Sequence, residues 1–92
     1  MEIIKTNTRY SINDTLDTWK IIGTISKDVS GAININIDIT NDNASVGSAY
    51  YTKAAESEAV NVSYNIIEIE RDKFVTYFDT LLASVLQYIK EN

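Results

Sequence analysis

Residues 32–40 carry the clearest hydrophobic pattern of the chain, because isoleucines alternate there with short polar residues. The apolar positions are Ile33, Ile35, Ile37 and Ile39, and the polar positions are Asn34, Asn36 and Asp38. Successive side chains of a β-strand point to opposite faces of a sheet, so the pattern predicts a strand with one apolar face and one polar face. Strands of a parallel sheet are usually covered on both faces. The polar face therefore favours an antiparallel sheet, and another element must cover the isoleucines.

Residues 72–91 have the period of an amphipathic helix. At about 100° per residue, its large apolar side chains fall within an arc of roughly 140°. These residues are Phe74, Val75, Phe78, Leu81, Leu82, Val85, Leu86 and Ile89. Asp72 is the expected N-cap, because its carboxylate accepts hydrogen bonds from the free N–H groups of the first turn. A helix of about 27 Å crosses several strands spaced about 4.8 Å apart, so we expect it to cover the isoleucine face.

A second strand is predicted over residues 15–27, where large apolar side chains share one face with Gly23. A glycine inside a strand marks a bulge or a close approach of another backbone, so we expect one of these at Gly23. Residues 28–31 are typical of a turn, and their glycine can take the positive φ that a tight connection needs. The two strands on either side of this turn are therefore expected to form a hairpin.

Two other segments have no clear period. Residues 1–14 are interpreted as an irregular arm, or as an arm with a short edge strand at residues 2–6. Residues 46–54 allow a strand, a helix or a loop. A strand is favoured, because a loop without structure from residue 41 to 57 would be long for a compact domain.

Residues 59–69 begin as an alternating strand, but the alternation reverses near the end of the segment. As a result, Ile67 and Ile69 fall on the face that the preceding residues make polar. A β-bulge at residue 65 or 66 would turn both isoleucines inward. Without a bulge, they would form an exposed apolar patch.

These elements predict an α+β fold, an antiparallel three- to four-stranded meander with one long C-terminal helix packed on one face. With 92 residues, the chain is expected to form a single domain over residues 1–92. In this interpretation residues 1–14 are the arm or edge strand, residues 15–69 form the sheet, and residues 72–91 form the helix.

The composition narrows the classes of function. Thirteen acidic and eight basic residues give a net charge of -5, which makes direct binding to nucleic-acid phosphates an unfavourable function. The first ten residues do not have the pattern of a secretory signal, and no apolar run is long enough to span a membrane. We therefore expect a cytoplasmic protein that does not bind membranes.

The residue types that carry most enzyme chemistry are absent from the sequence. The chain has no histidine and no cysteine, and its three glycines are far apart, so the usual triads, thiolate sites and phosphate loops are excluded. Glu68 and Glu70 are interpreted as solvated side chains at a strand end, and not as a catalytic pair. Asp38, Thr40 and Asp42 lack the glycine and the terminal glutamate of a calcium loop. We expect no catalytic, cofactor or metal site, and a protein that is not an enzyme.

Tyrosines and acidic residues near residues 46–58 are the candidate partner-binding residues. Tyrosine is enriched in protein interfaces because it combines a large contact area with a polar tip. Tyr50 and Tyr51 are adjacent, so in a strand one of the two must face away from the core. The predicted partner-binding residues are Tyr50, Tyr51, Glu56 and Glu58.

The leading hypothesis is a small acidic protein-binding module that inhibits a larger host protein by stoichiometric docking. Phage and mobile-element products that block host machinery often have this build, and the hypothesis rests on that analogy. The alternative is a self-assembling structural subunit, such as a virion component. It would use an open sheet edge, or a face formed by Ile22, Ile67 and Ile69. A carboxylate-based enzyme is the remote alternative.

Overall fold

The computed structural model describes residues 2–6, 9–28 and 31–91. Within these residues, six strands form one sheet in which every neighbouring pair is antiparallel and the spatial order follows the chain order. The strands are β1 Glu2–Thr6, β2 Arg9–Leu16, β3 Trp19–Lys27, β4 Ile33–Asn41, β5 Ala44–Lys53 and β6 Val60–Ile66. One helix, α1 Arg71–Glu91, follows β6 and covers one face of the sheet.

The predicted α+β fold with an antiparallel sheet and a C-terminal helix is confirmed, whereas the predicted count of three to four strands is wrong. β1 coincides with the short edge strand that was one alternative for residues 2–6, whereas β2 lies where an irregular arm was predicted. The alternation in β2 is hard to recognise because Tyr10 and Ile12 are its only fully buried side chains. The strand predicted over residues 15–27 is in fact divided by a turn, so that β3 begins at Trp19.

Polar residues with positive φ form the tight connections. Asp17, with φ 56°, lies in the two-residue turn between β2 and β3. Asp42 and Asn43, with φ 52° and 66°, form the turn between β4 and β5. Positive φ at both central residues is the geometry of a type I′ hairpin turn, which matches the strand twist and favours Asn and Asp. Gly31 has φ 102°, a backbone conformation that side-chain-bearing residues rarely adopt.

The hydrophobic core lies between α1 and the isoleucine face of the sheet, as the two amphipathic patterns predict. Its strand residues are Tyr10, Ile12, Ile21, Ile25, Ile35, Ile37, Ile39, Val46, Ala49 and Tyr51. Ile69 and the helix residues Phe74, Phe78, Leu81, Val85 and Ile89 complete it. Each fully buried large aliphatic or aromatic side chain contributes about 2 kcal/mol of transfer free energy. The contact between α1 and the sheet is therefore the main source of stability.

Gly23 lies at the centre of this core and is a point of close backbone approach. A Cβ atom there would be 2.7 Å from the carbonyl oxygen of Asn36 and 2.7 Å from Cγ2 of Ile37. The pairing of β3 with its neighbours continues through Gly23 without a shift in register. Of the two predicted alternatives, the structure shows the close approach.

The start of α1 differs from the prediction. The first helical hydrogen bond runs from the N–H of Phe74 to the carbonyl oxygen of Glu70, so Glu70 and not Asp72 is the N-cap. Asp72 lies in the first turn, where its negative charge still interacts favourably with the helix dipole. In the described part of the chain, no helix combines the length and hydrophobicity needed to cross a membrane.

The bulge predicted at residue 65 or 66 is not found there, because the pairing with β5 is regular through Ile66; the irregularity follows directly after β6. The N–H groups of Ile67 and Glu68 both donate to the carbonyl oxygen of Val46, which is the hydrogen-bond arrangement of a β-bulge. Ile69 turns into the core, whereas Ile67 remains exposed. The bulge therefore buries one isoleucine and not both.

Candidate interaction surface

Tyr50 and Tyr51 lie on opposite faces of β5. Tyr51 is 5% exposed and belongs to the core beneath α1, so its side chain is not part of the surface. Tyr50 is 38% exposed on the face that α1 leaves open, and its hydroxyl donates a hydrogen bond to Oδ1 of Asn34 at 3.4 Å. Tyr50 is also paired with Ser63, the middle residue of β6. Of the two tyrosines, only Tyr50 can contact a partner without rearrangement of the core.

Glu56 and Glu58 lie in the connection between β5 and β6, and both are exposed. Glu56 has φ 59° in a turn in which the N–H of Ser57 donates to the carbonyl oxygen of Ala54. The connection ends where β6 begins at Val60. The two glutamates therefore place negative charge at the N-terminal end of β6.

The surface beside these residues is the open edge formed by β6. Among the strands of the described residues, β6 pairs with β5 alone, so its other side forms an edge of the sheet. Its sequence, VNVSYNI, contains no charged residue and no proline. Charges and prolines are the usual features that prevent an edge strand from pairing with another chain. From Val60 to Ile66, β6 therefore lacks the charges and prolines that protect an edge strand.

The backbone groups that point away from the sheet can be identified from the bulge. The N–H of Ile67 points towards β5, because it donates to Val46. Backbone groups alternate in direction along an antiparallel strand, with hydrogen-bonded and non-hydrogen-bonded pairs in turn. The N–H and C=O groups directed at the open edge are therefore those of Val60, Val62, Tyr64 and Ile66.

An apolar strip accompanies this edge on the helix side of the sheet. Val60, Val62 and Ile66 are 47%, 40% and 38% exposed, respectively, and we call these three residues the β6 strip. Tyr64 lies between them and is partly covered, because its ring makes edge-on contacts with Phe74 at 5.5 Å and Phe78 at 5.6 Å between centroids. The helix thus contacts β6 through Tyr64, whereas each residue of the β6 strip keeps more than a third of its surface exposed.

The position of α1 explains why the strip is uncovered. On one border of the helix, the hydroxyl of Tyr77 donates a 2.7 Å hydrogen bond to Asp14, and the ring of Tyr88 contacts that of Tyr10 at 5.8 Å. Both contacts hold the helix over β2. At about 100° per residue, the opposite border of the helix faces β6. Its half-buried apolar residues are Val75, Leu82 and Leu86. They lie on the side of the helix that faces the β6 strip.

The contact between Asp14 and Tyr77 also shifts the titration of both groups. Partial burial alone would raise the pKa of the Asp14 carboxyl, but hydrogen bonds from the Tyr77 hydroxyl and the Thr15 N–H oppose it, and the pKa lies below its ordinary value. Burial, together with the hydrogen bond to the Asp14 carboxylate and its negative charge, raises the pKa of Tyr77. At neutral pH Asp14 is charged and Tyr77 is neutral, which is the state that the hydrogen bond requires.

The carboxylates considered as chemical sites are solvated or have other contacts. Glu68 and Glu70 are exposed at the end of β6. Asp38 accepts a 3.0 Å hydrogen bond from the hydroxyl of Ser45 on the neighbouring strand. Among the described residues, no three His, Cys, Asp or Glu side chains lie close enough together to hold a metal ion.

The β6 strip was not among the predicted partner-binding residues. In the sequence, Val60, Val62 and Ile66 alternate with polar residues and are indistinguishable from residues of a buried strand face. The sequence feature that could have indicated this surface is the lack of charge from Val60 to Ile66. It indicates a binding edge only when β6 is known to lie at the edge of the sheet. Comparisons of the chain with protein-family models, with curated proteins and with solved structures find no match.

Proposed function

We propose that this protein is a non-enzymatic protein-interaction module that binds its partner through the open edge of β6. The single observation that carries the proposal is an uncharged edge strand with three exposed branched side chains on one face. An extended segment that pairs with such an edge gains main-chain hydrogen bonds, and alternate side chains of the segment supply specificity. The apolar side chains of that segment would pack against the β6 strip and the apolar border of α1 that faces it.

Charge at the end of β6 indicates which partners fit best. Glu56 and Glu58 lie at the entrance to the strand, and the whole chain has a net charge of -5. A partner segment with alternating apolar residues and a basic residue at one end would match both the strip and the glutamates. Tyr50, on the other face beside Ser63, would contact residues flanking the bound segment.

The proposal is compatible with the role of a stoichiometric inhibitor encoded by a phage or a mobile element. A small module of this kind would block a larger protein by occupying an exposed strand or segment of that protein, without any chemistry of its own. The absence of histidine and cysteine from the sequence supports a function that does not depend on general acid–base or thiol chemistry.

A selection from a random peptide library tests this function without knowledge of the natural partner. We expect the wild-type chain to select extended peptides with alternating apolar residues. We also expect the Val62→Lys variant to lose them, because it places a charge in the middle of the strip. Thr24→Lys is the matched control, since Thr24 is exposed on the open face of the central strand β3. Selection of no peptide by the wild-type chain, or equal selection by Val62→Lys, would contradict the proposal.

A second candidate function, a self-assembling structural subunit, is favoured by one specific feature. Read outward from Ser63 in either direction, β6 has an apolar residue, then an asparagine, then another apolar residue. An edge with this property can pair with its own copy.

A further inference from the structure

We propose that β6 pairs with β6 of a second copy of this chain, antiparallel and with Ser63 on the two-fold axis. The inference rests on the proposed use of β6 as a binding edge and names the occupant of that edge. The pairing would join two six-stranded sheets into one continuous sheet across the dimer.

The pattern of β6 is self-complementary in this register. Apolar residues occupy positions 60, 62, 64 and 66, asparagine occupies positions 61 and 65, and serine occupies the centre. Antiparallel pairing about Ser63 places Val60 opposite Ile66 of the second copy and Val62 opposite Tyr64 of the second copy. Asn61 faces Asn65 of the second copy on the open face. Each apolar residue therefore meets an apolar residue, and each polar residue meets a polar one, as cross-strand pairing favours.

The backbone directions agree with the same register. Hydrogen-bonded pairs of an antiparallel ladder require that both residues direct their N–H and C=O groups at each other. The outward-directed groups belong to Val60, Val62, Tyr64 and Ile66, and the register pairs these residues only with one another. Ser63, whose groups point to β5, forms a non-hydrogen-bonded pair with its own copy on the axis. A register shifted by one residue would pair outward-directed groups with inward-directed ones and would lose these bonds.

The two-fold arrangement also places the second copy over the β6 strip. A two-fold axis through Ser63 and perpendicular to the sheet places both helices on the same face of the joined sheet. The two β6 strips then lie side by side between the two helices, and the half-buried Leu82 and Leu86 of each copy lie on the helix border that faces them. Residues that are 38% to 47% exposed in the single chain would be largely covered.

The other edge of the sheet does not have this property. β1 has the sequence EIIKT, and antiparallel self-pairing about Ile4 places Ile3 opposite Lys5 of the second copy. This register sets an apolar residue type against a charged one, which cross-strand pairing disfavours.

Charge and size predict a dimer of modest affinity. Pairing brings the exposed Glu58 of one copy near the exposed Glu68 of the other, and each copy has a net charge of -5. A strand about 24 Å long and the apolar strip on one of its faces bury less than the ~800 Å² per partner of a standard interface. We expect a reversible dimer with a dissociation constant of order 10 μM, strengthened by salt because salt screens the repulsion.

Cysteine cross-linking tests the register directly, because the natural sequence contains no cysteine. A non-hydrogen-bonded pair has Cα atoms about 4.5 Å apart, which lies within the range that a disulfide spans. The Ser63→Cys chain should therefore form a disulfide-linked dimer under mild oxidation. Asn61→Cys alone should not, but it should cross-link with Asn65→Cys when the two variants are mixed. Thr24→Cys, on the open face of a central strand, is the control for random collision.

Sedimentation equilibrium from about 1 μM to about 1 mM provides the second measurement. We expect a monomer–dimer equilibrium for the wild-type chain and a monomer for Val62→Lys, whose unchanged circular dichroism would show that it folds. A monomer at every concentration, or equal cross-linking by Ser63→Cys and Thr24→Cys, would overturn the inference. If the wild-type chain is monomeric but still selects extended peptides, only the self-pairing is wrong. If it does neither, the proposed use of β6 is wrong as well.

Discussion

β4 and β6 have the same alternating pattern in sequence but different environments in the fold. In β4, Ile35, Ile37 and Ile39 are at most 2% exposed, because the strand lies in the middle of the sheet beneath α1. In β6, the corresponding apolar positions remain 38% to 47% exposed at Val60, Val62 and Ile66. Alternation therefore determines which face of a strand a side chain occupies. Whether that face is covered depends on where the helix crosses the sheet.

The largest expected difference between the two strands is the energetic effect of truncation. Ile35→Ala leaves a cavity at a site with no exposed surface, so we expect a loss of about 3 kcal/mol in the free energy of unfolding. Val62→Ala removes a side chain that is already 40% exposed, and we expect a loss of about 0.5 kcal/mol. Urea denaturation followed by circular dichroism measures both values. Equal losses would mean that β6 is covered in solution, and a dilution series would show whether a second copy covers it.

The next prediction compares the loss of stability caused by two glycine substitutions, one at the centre of the sheet and one on its β6 side. In Gly23→Ala the added methyl meets backbone, at 2.7 Å from the Asn36 carbonyl oxygen. We expect a loss of about 2 kcal/mol, because central strands cannot separate without breaking their pairing. In Gly47→Ala the nearest atoms are side-chain atoms of Ile69 and Phe74 at 3.1 Å, which can move by a few tenths of an ångström.

We expect the Gly47→Ala variant to lose less than about 1 kcal/mol in the same urea measurement. A larger loss at Gly47 than at Gly23 would show that the β6 side of the core is packed more tightly than its centre.

A smaller effect is expected at the border of α1 that lies away from β6. Tyr77→Phe removes the 2.7 Å hydrogen bond to Asp14, and we expect a loss of about 1 kcal/mol at pH 7, since both groups are partly solvated. The pKa of Asp14 is lowered by folding, so its contribution is present above the unfolded pKa, near 3.8, and is lost as the pH falls through the folded pKa.

The difference in stability between wild type and Tyr77→Phe should therefore shrink below about pH 4. At the alkaline end, folding raises the pKa of Tyr77, so its contribution is present below the unfolded pKa of about 10 and is lost as the pH rises through the folded pKa. Urea denaturation of both chains at several pH values gives this profile. A pH-independent difference would assign the effect to packing and not to the hydrogen bond.

The sequence is sufficient to predict the fold class, the core face of β4 and the buried arc of α1, because each depends on a local period. The strand count is not predictable in this way. β2 has two buried side chains, which are too few to show a clear alternation. The turn at Asp17 has a positive φ that the sequence alone does not predict. The alternation in residues 59–66 gives the correct face for Val62, but not its exposure.

The candidate surface is less predictable than the fold for the same reason. Tyr50 and Tyr51 are adjacent, and pattern alone shows only that one of them faces outward. Which one does so depends on the register between β4 and β5, which contains a shift after Ile39. The edge position of β6 depends on the order of all six strands. These are non-local properties, and no local period encodes them.

The smallest effect is the most informative test of the comparison between β4 and β6. Val62→Thr keeps the β-branched shape and replaces a methyl group with a hydroxyl that solvent can reach, so we expect a change within about 0.5 kcal/mol in the free energy of unfolding. In the core, Ile37→Thr places a hydroxyl at a site that is 2% exposed and also removes one carbon atom, so it should cost about 3 kcal/mol. The free energies of unfolding of both variants should be measured at a protein concentration well below the expected dissociation constant of the dimer, so that the chain is monomeric. At high concentration the cost of Val62→Thr should rise, because pairing removes that solvent. A cost that stays the same at all concentrations would indicate that the β6 strip is never covered by a second copy.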